Sequence, residues 1–406
     1  MKGKGLMLLA AVMVLVWCLA GPMTVPGAEK WNLQEKTGET AEAAAETAED
    51  LYRFSPEAFD ISGIQEFLDR ISGGTGTDLS FSELMTQLAQ GQAEEAAAGM
   101  FRYVRDALFS EVEQNLGLMG KIAVLALIGA VFSNFSGIFG SGHVSETGFY
   151  VVYLLTMTLL AASFFASVRI ADQILEDILG FMKVLLPAYF MAVAMTGGAV
   201  TSSAMCTVTF GAIGLVQMVF SEFLIPMTKV YMMMILAGNL YKEDMISRLT
   251  ALLRQMILWT MKTMVGLILG FHLIQGLVLP QADALKNASL MRAVQVIPGV
   301  GAGAGAVSQI LMGSGILIKN TAGAAAVLIM AFLAAVPVIK LTALMALYYG
   351  TAAVIQPVCD RRLVSCISQA AEGHGLLLRM VGYSIALFSL TIAILCISTN
   401  AAYYAG

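Results

Sequence analysis

Charged residues are scarce in this sequence. They make up 13% of the 406 residues, whereas about 25% is usual in soluble domains, and 58% of the residues are hydrophobic. This balance argues against a water-soluble fold. No basic tract of the kind that binds nucleic acid is present, so no nucleic-acid partner is expected.

Cysteine and the residues of metal and catalytic sites are equally sparse. None of the five cysteines falls between residues 29 and 120, which argues against a disulfide framework in that segment. The three histidines have no acidic or cysteine neighbours at ligand spacing, and no HExxH, GxSxG or nucleotide-binding signature occurs. The sequence therefore predicts no metal, no cofactor and no enzyme.

Long apolar runs dominate the chain after Lys121. A helix needs about 20 apolar residues to cross a hydrocarbon layer roughly 30 Å thick. The sequence therefore predicts an all-α, polytopic integral membrane bundle over 119–406, with seven to ten crossings. The candidate spans are 121–139, 149–168, 178–196, 204–221, 223–240, 256–279, 299–318, 321–336, 338–355 and 376–397.

The first 28 residues have the pattern of a signal peptide. Lys2 and Lys4 precede an apolar core over 6–20, and Gly21 and Pro22 break it. Cleavage after Ala20 or after Ala28 fits equally, and an uncleaved first anchor is the alternative. In either case the segment that follows is expected to be exported to the far side of the membrane.

Residues 29–118 are predicted to be a small extracytoplasmic helical segment. The stretch 36–50 is rich in Ala, Glu and Thr and is typical of a linker. Beyond it, apolar residues recur at helical spacing, from Ile61 to Ile71 and from Phe101 to Val112. The segment is either a docking domain for outside partners or a collar that packs on its own membrane domain.

A weak internal repeat runs through the membrane domain. Four markers share one offset of 111 residues, and the units span about 149–255 and 256–398. The markers are Ala171-Asp172, Pro187, Pro226 and Lys229, echoed by Ala282-Asp283, Pro298, Pro337 and Lys340. We expect a duplication with both units in one orientation; an inverted pair follows if each unit has an odd number of crossings.

Positive charge predicts which loops face the cytoplasm. Basic residues gather between two spans and again after residue 360, and such loops stay in the cytoplasm. The residues concerned are Lys242, Arg248, Arg254, Lys262, Arg361 and Arg362.

Lys229 and Lys340 are the main candidate functional residues. Each follows a proline by three residues within a long apolar stretch, where a charge is costly unless it snorkels, pairs or meets water. They either line a polar passage or contact a partner subunit, or each marks the tight turn of a helical hairpin. Glu222 is a candidate partner of Lys229 in the first unit.

Prolines and glycines complete the list of candidate pore or interface residues. Pro187 and Pro298 are expected to kink helices and to free carbonyl groups. The glycine-rich run after Pro298 has no following Lys-Ser or Lys-Thr, which favours close helix packing over phosphate binding. The further candidates are Pro226, Pro337, Gly299, Gly301, Gly303 and Gly305.

The order of parts and several motifs resemble a known family. The motifs are IPMTK at 225–229, VIPGVGAGAGAVSQ at 296–309, LIKNTAG at 317–323, the stretch 336–357 ending in IQP, and the CDRR that follows it. With the leader and the acidic segment before them, they resemble the stage III sporulation protein AE family of endospore-forming Firmicutes.

The resemblance implies a function that the residues alone do not. Proteins of this kind sit in the mother cell membrane around the forespore. They act in a channel-like or secretion-like complex, with membrane proteins of the same operon and a forespore membrane partner. Contact with the lipid bilayer is also expected. Assembly of several copies of the chain into a homo-oligomer is a further alternative. The alternatives are a secondary transporter of a small metabolite and a structural anchor that recruits partners through 29–118.

Overall fold

The computed structural model describes residues 62–72, 80–89, 113, 116–131, 142–195, 199–240, 246–295 and 301–404. Almost all of these residues are helical, and no strand occurs among them. The signal peptide at 1–28 and most of 29–118 lie outside this part of the chain and remain predictions. The same holds for Pro298 and Gly299.

Nine helices and one π-helical segment make up the described chain. They are α1 (Ser62–Ser72), α2 (Phe81–Ala89), α3 (Leu116–Val131), α4 (Gly142–Met195), α5 (Ala199–Gln217), the π segment (Met218–Leu224), α6 (Ile225–Gly238), α7 (Ser247–Gln295), α8 (Gly301–Ile355) and α9 (Arg361–Tyr404). Five of the described stretches are long and apolar enough to cross a membrane: Thr147–Ala194, Ser202–Gly238, Ser247–Val278, Gly315–Ile355 and Arg361–Thr399. The prediction of an all-α, multi-pass membrane protein is therefore confirmed, but the five such stretches in the described residues are fewer than the seven to ten crossings predicted.

The long helices alternate in direction. Tyr153 and Tyr189 of α4 contact Cys366 and Cys396 of α9 in that order, so α4 and α9 run parallel. The contacts that α4 makes with α5 and α6 come in the opposite order along the chain, so α5 and α6 run antiparallel to α4. The Ser202 hydroxyl donates to the Phe190 carbonyl, and the Tyr153 hydroxyl donates to the Leu236 carbonyl.

The other two long helices complete an up-down-up-down-up bundle. Arg254 of α7 reaches Glu372 of α9, and Gly276 of α7 lies against Ser398, so α7 runs with α9. Helix α8 runs the opposite way, because a short turn joins it to α9. The pieces α5, π segment and α6 together form the first of the two elements that run opposite to α4, and α8 is the second.

The two ends of the bundle differ in charge. We call the end where α6 finishes and α9 begins the basic end, because Arg248, Arg361 and Arg362 lie there. The opposite end, where α4 leads into α5 and α9 finishes, is the distal end. By the predominance of positive charge in cytoplasmic loops, the basic end is the one expected to face the cytoplasm.

Several stretches predicted as separate spans are joined. The stretch 149–168 and residues 178–195 of the next predicted span both belong to α4, and 321–336 and 338–355 both belong to α8. Pro187 and Pro337 lie inside these helices, and the helices continue through them. A proline removes one hydrogen bond of the helical ladder, and a helix packed against neighbours tolerates that loss. Pro337 therefore does not mark a turn between two spans, and Pro187, which was predicted only to kink a helix, lies inside a continuous one.

The Pro226 region shows how a helix absorbs a proline. The π segment precedes it, and the Ile225 N–H donates to the Phe220 carbonyl, five residues back. The wider π turn accommodates a residue that has no N–H. The predicted spans 204–221 and 223–240 are thus one helical element, and Lys229 lies on its continuation rather than in a hairpin turn.

Two of the boundaries predicted from the sequence fall inside helices. The junction of the two proposed repeat units at 255–256 falls inside α7, and the junction at 118–119 falls inside α3. The duplication itself stays a prediction.

The two short helices α1 and α2 pack on the bundle. Ile64, Leu68, Phe81 and Met85 are fully buried, and the Phe67 ring lies 6.2 Å from the Phe181 ring of α4. Phe181 is roughly 40 Å along α4 from Tyr153, at 1.5 Å per residue, so α1 sits far from the basic end. For these two helices, the packing favours the collar interpretation over a free docking domain.

Candidate functional site

The predicted candidates of the first unit lie on the outer surface. Glu222 and Pro226 are exposed, and Lys229 is partly buried on α6. Among the ion pairs of the described residues, none joins Glu222 to Lys229. Pro187 is also exposed, on α4. These residues therefore face the surroundings of the bundle rather than a passage within it.

The second unit places its lysine differently. Lys340 and Pro337 are half-buried in α8. Helix α8 packs chiefly on α9 and α4, whereas α6 packs on α4, α7 and α9. The two lysines do not converge on one site within the chain. Gly301, Gly303 and Gly305 begin α8; their packing, like the placement of Pro298 and Gly299, lies outside what the structure describes.

Arg362 links three elements at the basic end, a role that the sequence did not predict. Its guanidinium donates to the Leu240 carbonyl at 3.4 Å, pairs with Asp360 at 3.3 Å, and lies 3.6 Å from the centre of the Phe149 ring. The arginine thereby binds the turn after α6, the turn before α9 and the first part of α4. Its neighbour Arg361 is exposed.

Further polar contacts hold the same end together. The Asn239 side chain donates to the Ile235 carbonyl at 2.9 Å and to the Gln369 amide oxygen at 3.2 Å. The Cys359 thiol donates to the Ala126 carbonyl at 3.2 Å, which attaches α3. Burial, with a smaller contribution from Asp360, raises the pKa of the Cys359 thiol and favours this protonated donor.

A small polar cavity opens beside these contacts. It has a volume of about 270 Å³, and Arg254 and Glu372, 3.5 Å apart, lie in its wall. Tyr231, Asn239 and Gln369 contribute further polar groups. The cavity lies at the edge of the basic end and not at the middle of the bundle.

Aromatic side chains pack between α4, α8 and α9. His374 of α9 stacks on Tyr348 of α8 with ring centres 4.9 Å apart, and Phe164 of α4 meets the His374 ring edge-on at 5.5 Å. All three side chains are fully buried. Among the described residues, these three rings fill the space between α4, α8 and α9 at this level.

A buried lysine lies nearer the distal end. Lys319 of α8 is 0% exposed, and no described residue hydrogen-bonds its Nζ. One turn along, Gly323 packs against the Cys396 sulfur, and the Tyr189 hydroxyl lies 3.4 Å from that sulfur. A lysine without a hydrogen-bond partner in an apolar interior is costly, which marks Lys319 as a candidate functional residue.

The sequence held a signal for this lysine. Lys319 is a single charge in the apolar run 315–336 and belongs to the LIKNTAG motif, as Lys340 belongs to its own apolar run. Its burial depends on the packing of α4, α8 and α9, which spacing alone does not reveal. Within the described ranges, no three His, Cys, Asp or Glu side chains are grouped so that they could hold a metal ion.

Comparison with known proteins gives one consistent result. The model of the family "Stage III sporulation protein AE" matches residues 79–399. The stage III sporulation protein AE of Bacillus subtilis (strain 168) is 23% identical over 334 residues, which cover 81% of this chain and 83% of that protein. No solved structure matches the chain.

The family resemblance seen in the motifs is thereby confirmed over the greater part of the chain. Because the match includes α3 to α9, it covers all five membrane-spanning stretches. The chain is a sporulation-related, multi-pass membrane protein, and it belongs to the stage III sporulation protein AE family.

Proposed function

We propose that this chain is a membrane subunit of the complex that joins the mother cell to the engulfed forespore and supports forespore development. In this proposal it resides in the mother cell membrane, with residues 29–118 on the extracytoplasmic side. Its partners are the other membrane proteins of the same operon and a forespore membrane protein.

The packed interior between α4, α8 and α9 supports a role as one subunit of a larger assembly. Because His374, Tyr348 and Phe164 fill the space between α4, α8 and α9, we infer that a single copy holds no aqueous passage between these three helices. The chain therefore contributes to a passage by assembling with other subunits. Glu222, Pro226 and Lys229 lie on the outer surface of the bundle, where a partner can reach them.

Isolation of the complex tests this assignment. A tagged copy would be purified from membranes of sporulating cells of the native host after mild cross-linking, and the captured proteins identified by mass spectrometry. The proposal expects membrane proteins of the same operon and a forespore membrane protein. Recovery of the chain without any sporulation protein, from cells that express those partners, would contradict it.

Substitution of the two candidate lysines tests the proposed partner contact more directly. Replacing both Lys229 and Lys340 by Met should lower partner recovery and spore yield by about tenfold, the effect of roughly 1.4 kcal/mol of lost association. The single variants separate the contribution of Lys229 on α6 from that of Lys340 on α8. Wild-type yield at a wild-type membrane level would remove both lysines from the interface.

A transporter of a small metabolite is the second candidate. The observation in its favour is the polar cavity at the basic end, with Arg254 and Glu372 in its wall. Transporter sites usually lie near the bilayer midplane between helix repeats, whereas this cavity lies at one end of the bundle. Replacing Glu372 by Gln separates the two functions, because a transporter should lose its activity while a subunit should keep its partners.

A further inference from the structure

A second cavity lies between the end of α8 and the start of α9, and we call it the α8–α9 groove. Its volume is about 650 Å³, within the range of roughly 300–1,000 Å³ that is usual for small-molecule sites. Its lining runs from Tyr349 to Gln356 on the α8 side and from Arg361 to Ser368 on α9. Each stretch covers about two helical turns, so the groove reaches roughly 10 Å into the bundle from the basic end.

The groove has a polar mouth and one apolar wall. Gln356 and Arg361 lie at the mouth, beside the turn that joins α8 to α9, and both are exposed. Further in, the α8 side contributes Ala353 and Tyr349, and the α9 side contributes the hydroxyl group of Ser365. An occupant with a polar group at one end and an apolar part behind it matches this lining.

Arg361 gives the mouth its charge. Its neighbour Arg362 is engaged within the fold, because it pairs with Asp360 at 3.3 Å and donates its backbone N–H to the same carboxylate at 2.8 Å. Arg361, by contrast, has no hydrogen bond or ion pair with any described residue. Among the described residues that line the groove, none is acidic. The mouth therefore fits an anionic group.

The position of the groove identifies the class of occupant. Tyr349 in its wall and Val354 beside it are 42% and 74% exposed, and both lie within the membrane-spanning stretch Gly315–Ile355. The mouth lies at the basic end, where the head groups of the cytoplasmic leaflet are expected. Anionic lipids are concentrated in that leaflet, and basic pockets between membrane helices bind their head groups. A free anion would contact the mouth alone and leave the apolar wall bare.

We propose that the α8–α9 groove binds an anionic phospholipid of the cytoplasmic leaflet. The phosphate group lies on Arg361, whose guanidinium can hold it through two parallel hydrogen bonds. One acyl chain follows the apolar wall past Ala353 to Tyr349. This lipid site goes beyond the sporulation role, which spore yield and partner recovery test separately.

Two uncharged side chains complete the site. The Ser365 hydroxyl accepts from the Gln369 amide at 2.8 Å, which leaves its own hydrogen to donate to an ester oxygen of the lipid. The Gln356 amide lies at the mouth, where it can donate to the head group. Because neither side chain is charged, Arg361 supplies the electrostatic part of the affinity.

Lipid binding by the purified full-length chain tests the role of the arginine. Phosphatidylglycerol would be added to the protein in detergent, and the bound lipid counted by native mass spectrometry. Arg361→Gln should weaken binding about tenfold, the loss expected when a charge-assisted hydrogen bond is removed. Arg248→Gln is the matched control, since Arg248 is exposed at the same end and does not line the groove. Equal losses in the two variants would mean general attraction to positive charge and would overturn the site.

Filling the groove tests the place of the acyl chain. Ala353→Trp keeps Arg361 but occupies the apolar wall, so lipid binding should fall at least as far as in Arg361→Gln. Because Ala353 is exposed, the variant should still fold. Val354→Trp is the control, because this neighbouring side chain is exposed and does not line the groove. Unchanged binding in Ala353→Trp would place the lipid elsewhere and refute the proposal.

Two further measurements identify the occupant. Glycerol phosphate, which has no acyl chains, should fail to displace phosphatidylglycerol; displacement at equal concentration would make a free anion the ligand. In membranes of the native host, phosphatidylglycerol with a photoreactive group in its acyl chain should label the segment 349–368. Absence of lipid from this segment, or a cross-link from it to another protein, would overturn the proposal.

Discussion

The basic end and the distal end are held together by different means. At the basic end, polar side chains bind helix termini: Arg362 binds the Leu240 carbonyl, and Tyr153 donates to the Leu236 carbonyl at 2.6 Å. Toward the distal end, Gly276 and Gly323 allow α7 and α8 to lie directly against α9. There, Lys319 is buried without a described hydrogen-bond partner.

The difference separates stability from function. Hydrogen bonds that satisfy buried helix ends stabilise the fold, and so does close packing through glycine. A buried ammonium group that lacks a hydrogen bond does not. We therefore interpret the polar contacts of the basic end as structural. The buried lysine at the distal end does not stabilise the fold, so we interpret it as functional.

Removing the contacts of Arg362 should have the largest effect on the free energy of unfolding. Arg362→Ala should lower the free energy of unfolding by roughly 2–4 kcal/mol, because a charged hydrogen-bond donor and a cation–π contact are lost together. Denaturant titration in detergent micelles measures this change. Arg361→Ala is the matched control, since Arg361 is exposed, and it should change little. Equal effects of the two substitutions would refute the role assigned to Arg362.

Crowding the distal packing should have the next largest effect. Gly276→Ala places a methyl group against the Ser398 side chain, so it should cost roughly 1–3 kcal/mol of unfolding free energy. Gly350→Ala serves as control, because no atom lies within 4 Å of the added carbon. A stable Gly276→Ala variant would show that α7 and α9 are not in close contact.

Neutralising the buried lysine should change stability in the opposite direction. Lys319→Met should raise the free energy of unfolding by about 1–3 kcal/mol, since a buried charge without a hydrogen bond is replaced by an apolar group. Lys121→Met, at an exposed position on α3, should leave stability nearly unchanged. A destabilised Lys319→Met protein would mean that the lysine has a structural partner. A more stable protein that fails to support sporulation would make the lysine functional.

Much of the fold follows from the sequence. Long apolar runs with few charges predict membrane helices, and the motifs at 225–229 and 317–323 indicate the family. Helix continuity was harder to predict, because Pro187, Pro226 and Pro337 look like breaks. Whether a helix survives a proline depends on what packs beside it, as the π segment before Pro226 shows.

The candidate site was less predictable than the fold. Lys229 and Lys340 were found as isolated charges in apolar runs, but their separation in space depends on which helices are neighbours. Lys319 has the same sequence signal and a different environment. Arg362 resembled an ordinary cytoplasmic charge, and only the approach of Phe149 and Leu240 gives it its structural role.

The most direct test of the sporulation role is a count of heat-resistant spores after deletion of the gene in its native host. We predict that the count falls by several orders of magnitude and that the wild-type gene, expressed in the mother cell, restores it. An unchanged count in the deletion strain would contradict the role of this chain in sporulation, and a transporter would then be the better description.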